Sequence, residues 1–171
     1  MALIERREGG AAAIDDRFER VEDEVALPAS GGVIVSLARF EAEREALLAR
    51  EGDVGVWLAS NEPPKALADV LDRLAVVACD FPAFSDGRAF SYARLLRERY
   101  DYKGEIRAIG DVLLEQIPFM VRSGFNTFEI DDPTALDEFR AVCDEVRVVY
   151  QPTGDGQTTA LQRRLGQHRA P

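Results

Sequence analysis

The chain has 171 residues, enough for one domain with its own core, and its 46% hydrophobic and 30% charged content is that of an ordinary globular protein. Its 31 acidic against 21 basic residues leave a formal net charge of -10, which argues against a duplex-binding or anionic-membrane surface, since either needs a basic face, and leaves room for a local basic pocket. No nucleic acid or membrane is therefore expected as a partner. No apolar run approaches the roughly 20 residues that span a bilayer, and two cysteines behind a charged start (MALIERREGG) fit a reducing, cytoplasmic setting.

Residues 1–30 lack a clear period and read as an acidic arm or edge hairpin, with Asp15, Asp16, Glu19, Glu22, Asp23 and Glu24 among scattered apolar side chains. Pro28 and Gly31–Gly32 punctuate the chain, and the α/β domain is expected over 31–152. Val33–Leu37 reads as a first strand and Arg39–Arg50 as a helix stopped by Gly52. Val54–Leu58 reads as a second strand. Asn61–Pro64 then opens a helix whose Leu67, Val70, Leu71 and Leu74 keep the i, i+3, i+4, i+7 spacing of one buried face.

Ala75–Cys79 is the third strand, and the loop Phe81–Arg88 (FPAFSDGR) leads into a helix carrying Ala89, Tyr92, Ala93, Leu96 and Tyr100. Glu105–Ile109 is the fourth strand. The helix from Gly110–Asp111 to Gly124 should be kinked by Pro118 near Leu114. Phe125–Ile130 is the fifth strand. Asp132–Pro133 is an N-cap carboxylate with proline at the first helical position, and Leu136, Phe139, Cys143 and Val146 mark that helix's inner face. Arg147–Tyr150 is the sixth strand, and 153–171 reads as a polar, disordered tail.

Six strands alternating with five helices predict a mainly parallel sheet, because adjacent parallel strands need a crossover. An open sheet with helices on both faces is favoured, and a curled, barrel-like βα repeat is the alternative. In either, ligands gather beyond the carboxyl ends of the strands, where FPAFSDGR, Gly110–Asp111 and Asp131–Asp132 fall.

Ser85 and Asp86 can cap the helix that follows, and Gly87 suits a tight turn. Arg88 opposes the helix dipole in the first turn. Its placement implies either a carboxylate partner, Asp86 or Asp111, or a small anion such as sulfite, sulfate or a nucleotide phosphate held by Ser85, Gly87 and Arg88, with Asp86 a further ligand-binding candidate. Asp111 reads as an N-cap and a ligand-contact candidate. Gln116 falls on the apolar stripe of Leu113, Ile117 and Met120, where its amide must find protein or ligand partners. Asn126 is a candidate by position. Cys79 is either a small core residue or a thiolate near Arg88.

No cofactor declares itself. The loop after the first strand is Ala38–Arg39, without the G-x-G-x-x-G of an NAD site, and Gly31–Gly32 lies at the wrong end. Two distant cysteines cannot supply an iron–sulfur or sirohaem ligand set. With His168 as the one histidine, no metal site is expected.

Three blocks carry a family resemblance: LARFEAEREALLAR (Leu37–Arg50), the long stretch Asp80–Ile130 containing FSDGR and GDVL, and VVYQP (Val148–Pro152). In these the chain resembles a bacterial family of unknown function labelled as oxidoreductases of sulfite reduction and encoded beside genes of assimilatory sulfate reduction. The resemblance implies a pathway rather than a mechanism. Its members carry no established catalytic residues to transfer. It implies an accessory protein or oxidoreductase of sulfite or sulfate reduction, with an anion pocket at the strand ends. The alternative is a non-catalytic partner, subunit or assembly factor of sulfite reductase or another sulfate-assimilation enzyme.

Overall fold

The computed structural model describes residues 2–132, 134–145 and 148–166. Eight strands form a single sheet: β1 (Ala2–Arg7), β2 (Gly10–Ile14), β3 (Phe18–Arg20), β4 (Gly32–Ser36), β5 (Val54–Leu58), β6 (Val76–Phe81), β7 (Glu105–Gly110) and β8 (Thr127–Ile130). Their spatial order is β2-β1-β8-β7-β6-β5-β4-β3. From β3 to β8 every neighbouring pair is parallel, while β1 pairs antiparallel with both β8 and β2. Five of the six expected strands are present as β4 to β8, three more come from the first thirty residues, and the expected strand at 147–150 is not among the eight.

The described residues contain six α-helices: α1 (Leu37–Ala42), α2 (Arg44–Ala49), α3 (Arg88–Arg94), α4 (Ile117–Ser123), α5 (Ala135–Glu145) and α6 (Ala160–Arg164). Several differ from the sequence reading for local reasons. The expected Arg39–Arg50 helix breaks at Glu43, whose backbone (φ -113, ψ 19) is not helical. The segment carrying Leu67, Val70, Leu71 and Leu74 buries all four but forms two 3-10 turns, Pro64–Leu67 and Leu71–Arg73. An i, i+3 spacing serves a 3-10 turn as well as an α-helix.

Pro118 does not kink a long helix. It occupies the first turn of α4, where its missing N–H costs nothing. In α5 the buried face is Ala135 and Phe139, whereas Leu136 is exposed; Val146 and Pro133 fall outside the described residues. Of the expected sixth strand, Arg147 lies outside them too. Val149 makes an isolated bridge to Thr159, just before α6 in the stretch read as a tail.

Strands β3 to β8 follow one another without a reversal, so right-handed crossovers place their connections on one face. Val35, Val56, Val77, Cys79, Ile106, Ala108, Phe128 and Ile130 point to that face and pack with Phe40, Leu67, Ala93, Leu96, Met120 and Phe139 in one core. The expected helices on both faces are therefore replaced by a one-sided layer on an open, curled sheet, a half-barrel.

The curl follows from chain connectivity. β2 and β3 are the two edges of the sheet, yet only Asp15, Asp16 and Arg17 join them. Eight strands laid flat span about 34 Å, and four residue steps reach at most roughly 14 Å. The edges must bend toward each other, with the linker crossing the concave face.

The concave face is filled accordingly. Phe18, Ile34 and Val76 form a small second cluster with Trp57. A Cβ on Gly55 would lie 2.2 Å from Val76 Cγ1, so only glycine fits between Ile34 and Val76. Above them Arg107, its side chain 1% exposed, donates to Asp16 (2.7 and 3.1 Å), Glu105 (2.8 Å) and Glu129 (3.4 Å). Its guanidinium also lies 5.6 Å from the Phe18 ring centroid. Glu105 in turn accepts from Thr127 Oγ1 at 2.8 Å. Burial works against the Arg107 charge, but the Asp16 and Glu105 carboxylates outweigh it and hold the guanidinium protonated.

Partial burial also opposes ionisation of Asp16, and the bonds from Arg107 and the Phe18 N–H overcome it, leaving the carboxyl below its ordinary 3.8. A depressed carboxyl stabilises the fold above its unfolded value and loses that contribution as pH falls through the folded one. Urea unfolding of Arg107→Met should therefore show a loss of about 3–5 kcal/mol at neutral pH, because carboxylates are left buried without a cation. Asp16→Asn should remove part of the stability decline that the native chain shows below about pH 4. An Arg107→Met protein as stable as the parent would mean that the concave face does not depend on this cluster.

Candidate functional site

The loop Phe81–Arg88 leaves β6 at the carboxyl end of the sheet and enters α3. Gly87 is the residue before α3 and offers no side-chain cap. Asp86 performs that role from one residue further back: its Oδ1 accepts from the Arg88 N–H (3.2 Å) and from Arg88 Nε (3.0 Å), and its Oδ2 from Arg88 Nη2 (2.6 Å). Arg88 Nη2 also donates to Ser60 Oγ (2.7 Å), in the loop after β5. Tyr92 Oη donates to the Ser60 carbonyl (2.7 Å). One fork thus ties two strand-end loops together.

The Arg88 bond, with help from the backbone and Ser60, holds the Asp86 carboxyl well below the usual carboxylate range. Arg88 itself is shifted upward by the same pairing. Of the two explanations for Arg88 that the sequence leaves open, the structure contains the carboxylate partner, Asp86. Ser85 and Gly87 are exposed beside it.

Asp111 is not the N-cap that its position suggests, because no helix starts there. Its Oδ2 accepts from the Phe84 N–H at 2.8 Å, bracing the FPAFSDGR loop from the end of β7. Gly110 makes this possible: its φ is +88, and a Cβ would lie 2.5 Å from the Phe81 carbonyl and 2.6 Å from Asp80 Oδ1. Asp80 looks into the same mouth, its carboxyl raised chiefly by burial, with Arg20 opposing and Asp86 adding to the rise.

Cys79 and Asn126 belong elsewhere. Cys79 is fully buried on the helix-covered face, and burial pushes its thiol up to about 12. It is a protonated core group at neutral pH rather than a reactive thiolate near Arg88. Asn126 precedes β8 at the amino end of the sheet. Its Oδ1 accepts from the Ile106 N–H (2.7 Å) and from Arg97 Nη2 (3.4 Å), which makes it a joint between β7 and the helical turn Leu95–Arg99 that follows α3. It is not brought to the FPAFSDGR loop.

Gln116 does meet that loop. It ends a 3-10 turn before α4 and is 9% exposed. Its Nε2 donates to the Phe84 carbonyl at 3.3 Å, while its Oε1 is buried with no hydrogen-bond partner among the described residues. Phe84, Phe90, Gln116 and Phe119 line a cleft of about 560 Å³ that runs between α3 and α4, with Arg94 and Arg122 on its rim. Phe84 and Phe119 are 55% and 62% exposed, unusual for aromatic rings sharing one cleft. Arg94 is held by Glu98 (3.2 Å) and Arg122 by Asp155 (2.8 Å).

The sequence reading named Gln116 but missed the cleft and its aromatic walls. Phe119 follows Pro118 and faces away from the stripe of Ile117 and Met120. An exposed phenylalanine at that position was the available signal. The reading also missed the concave cluster. Its signal was polar alternation in two central strands, Glu105/Arg107 and Thr127/Glu129, where a parallel sheet covered on both faces would be continuously apolar. Among the described residues no three His, Cys, Asp or Glu side chains converge as a metal site would need, and no helix is long and apolar enough to cross a membrane.

The fold and cleft define a singly wound βα half-barrel that carries a one-sided aromatic cleft beside its strand-end loops. The chain belongs to the family described as a bacterial protein of unknown function, DUF934, whose model matches residues 55–161, from β5 to α6. Comparison with curated proteins returns no match.

Two outcomes check this geometry. Gly110→Ala should lower the denaturant midpoint by an amount equivalent to about 1–3 kcal/mol, since the left-handed backbone and the Phe81 carbonyl both oppose a Cβ. Iodoacetamide should leave Cys79 unmodified in the native protein and alkylate it in urea, as mass spectrometry of the peptide would show; native labelling would mean the thiol is not buried.

Proposed function

We propose that the protein is an accessory of assimilatory sulfite or sulfate reduction that binds a small ligand beside the FPAFSDGR loop. The observation that carries the ligand-binding part is Gln116, which lines a cleft large enough for a small molecule and whose Oε1, just beneath the surface, is a buried acceptor without a donor among the described residues. Basic side chains on the rim, Arg94 and Arg122, suit an oxyanion or nucleotide phosphate. Arg88, engaged by Asp86 and Ser60, is a brace for the neighbouring loops in this reading. The pathway comes from the family resemblance of Asp80–Ile130.

A second reading is favoured by the formal net charge of -10. A surface of that sign suits docking to a basic face on sulfite reductase or another enzyme of the pathway, as a non-catalytic subunit or assembly factor.

Deleting the gene in a bacterial host should impair growth on sulfate or sulfite as sulfur source, with rescue by sulfide or cysteine. Growth on sulfate at the parental rate would remove the pathway from the proposal. A Gln116→Leu allele separates the two readings. It should fail to restore growth if ligand binding is the function, and should restore it fully if docking is.

A further inference from the structure

We propose that the cleft between α3 and α4 takes a planar N-heteroaromatic ring that presents an N–H donor on its edge to Gln116 Oε1. The inference rests on the ligand-binding reading above and names the class of ligand. Gln116 is 9% exposed and donates one Nε2 hydrogen to the Phe84 carbonyl. Its Oε1, the other half of the amide, has no partner among the described residues. Buried carbonyl oxygens are nearly always satisfied, so the missing group is a donor.

The surroundings narrow that donor. Arg94 and Arg122 are already paired with Glu98 and Asp155, Glu115 also lines the cleft, and three phenylalanine rings supply its apolar wall, so a donor on a flat uncharged ring matches it better than a strongly hydrated ammonium that would lose its water there. Fully ionised sulfate suits the rim but has no proton to give the amide. A neutral N–H is left. The walls specify what carries it: the Phe84, Phe90 and Phe119 rings offer apolar faces, and flat ligands stack or pack edge-on against such rings. Imide and amino-substituted heteroaromatic rings combine flatness with an edge N–H, and a phosphate or sulfate substituent on them would reach the two arginines.

Because Oε1 is covered from solvent, ligand entry requires the Phe84 loop to shift. Its attachments on this side are the Asp111 and Gln116 hydrogen bonds. The ring's N–H then completes the Gln116 amide.

Isothermal titration calorimetry of the full chain tests this with lumiflavin, its N3-methylated analogue, adenosine and sodium sulfate. Lumiflavin or adenosine should bind at one site, and N3-methylation should weaken lumiflavin about tenfold or more by removing the donor. Gln116→Leu should lose ring binding and yet raise the melting temperature of the unliganded protein, because the orphan acceptor is gone. A purely structural glutamine would instead lower it. Phe119→Ala, at an exposed position, keeps the fold and should weaken the ring about fivefold to tenfold.

Ring binding that Gln116→Leu and N3-methylation leave unchanged would overturn the assignment. Sulfate binding with no ring binding would overturn it while leaving the ligand-binding reading in place. Silence to all four probes would remove both.

Discussion

Arg107 is the cation on which the concave side of this sheet depends. A parallel sheet usually hides both faces beneath helices. Here the connections all lie on one side, and the other must be closed by the sheet's own side chains and by the short linker between its edges. Arg107 reaches from β7 to Asp16 in that linker, to Glu105 on its own strand and to Glu129 on β8. The guanidinium suits this place because it is planar, keeps its charge when buried and offers several donors at fixed angles. A lysine would supply one charge but not the fork.

The same connectivity explains why the N-terminal hairpin matters to the whole domain. β1 and β2 extend the β8 edge, β3 extends the β4 edge, and three residues hold those edges together. The linker is an inextensible chord across the half-barrel, and Arg107 fastens it at mid-span. Arg39 secures the next segment in a similar way, donating to the Glu22 and Val25 carbonyls (2.6 and 2.8 Å) while Ser36 binds Asp23 (2.6 Å). Buried arginines on both sides thus fix a stretch whose own sequence has no strong preference for regular structure.

Structural braces and the candidate site share the strand-end loops but use different chemistry. Arg88, Asp86, Ser60 and Tyr92 close their polar groups on one another and anchor the α3 end of the FPAFSDGR loop, while its Phe84 segment is held by the Asp111 and Gln116 hydrogen bonds. The group left open is the Gln116 amide on the outer side of that loop, between exposed aromatic rings. A protein satisfies its buried polar atoms wherever folding is their purpose. The proposed ligand site rests on that exception.

Much of the parallel core was legible in the sequence, because strand runs such as Val33–Val35 and Val54–Leu58 and stops such as Gly104 and Gly124 act locally. The position of FPAFSDGR at a strand's carboxyl end, and the need of Gln116 for partners, followed from the same local logic. Helix lengths were less legible, since i, i+3 spacing does not separate an α-helix from 3-10 turns, as at Leu67–Leu74. What only the tertiary structure decided is the curl, the one-sided helix layer and the cleft. Asp16 and Arg107 are 91 positions apart in the chain, and the orphaned oxygen of Gln116 is apparent only once Phe84 has been folded against it. Periodicity reports which side of its own element a residue takes, but not which distant element arrives there.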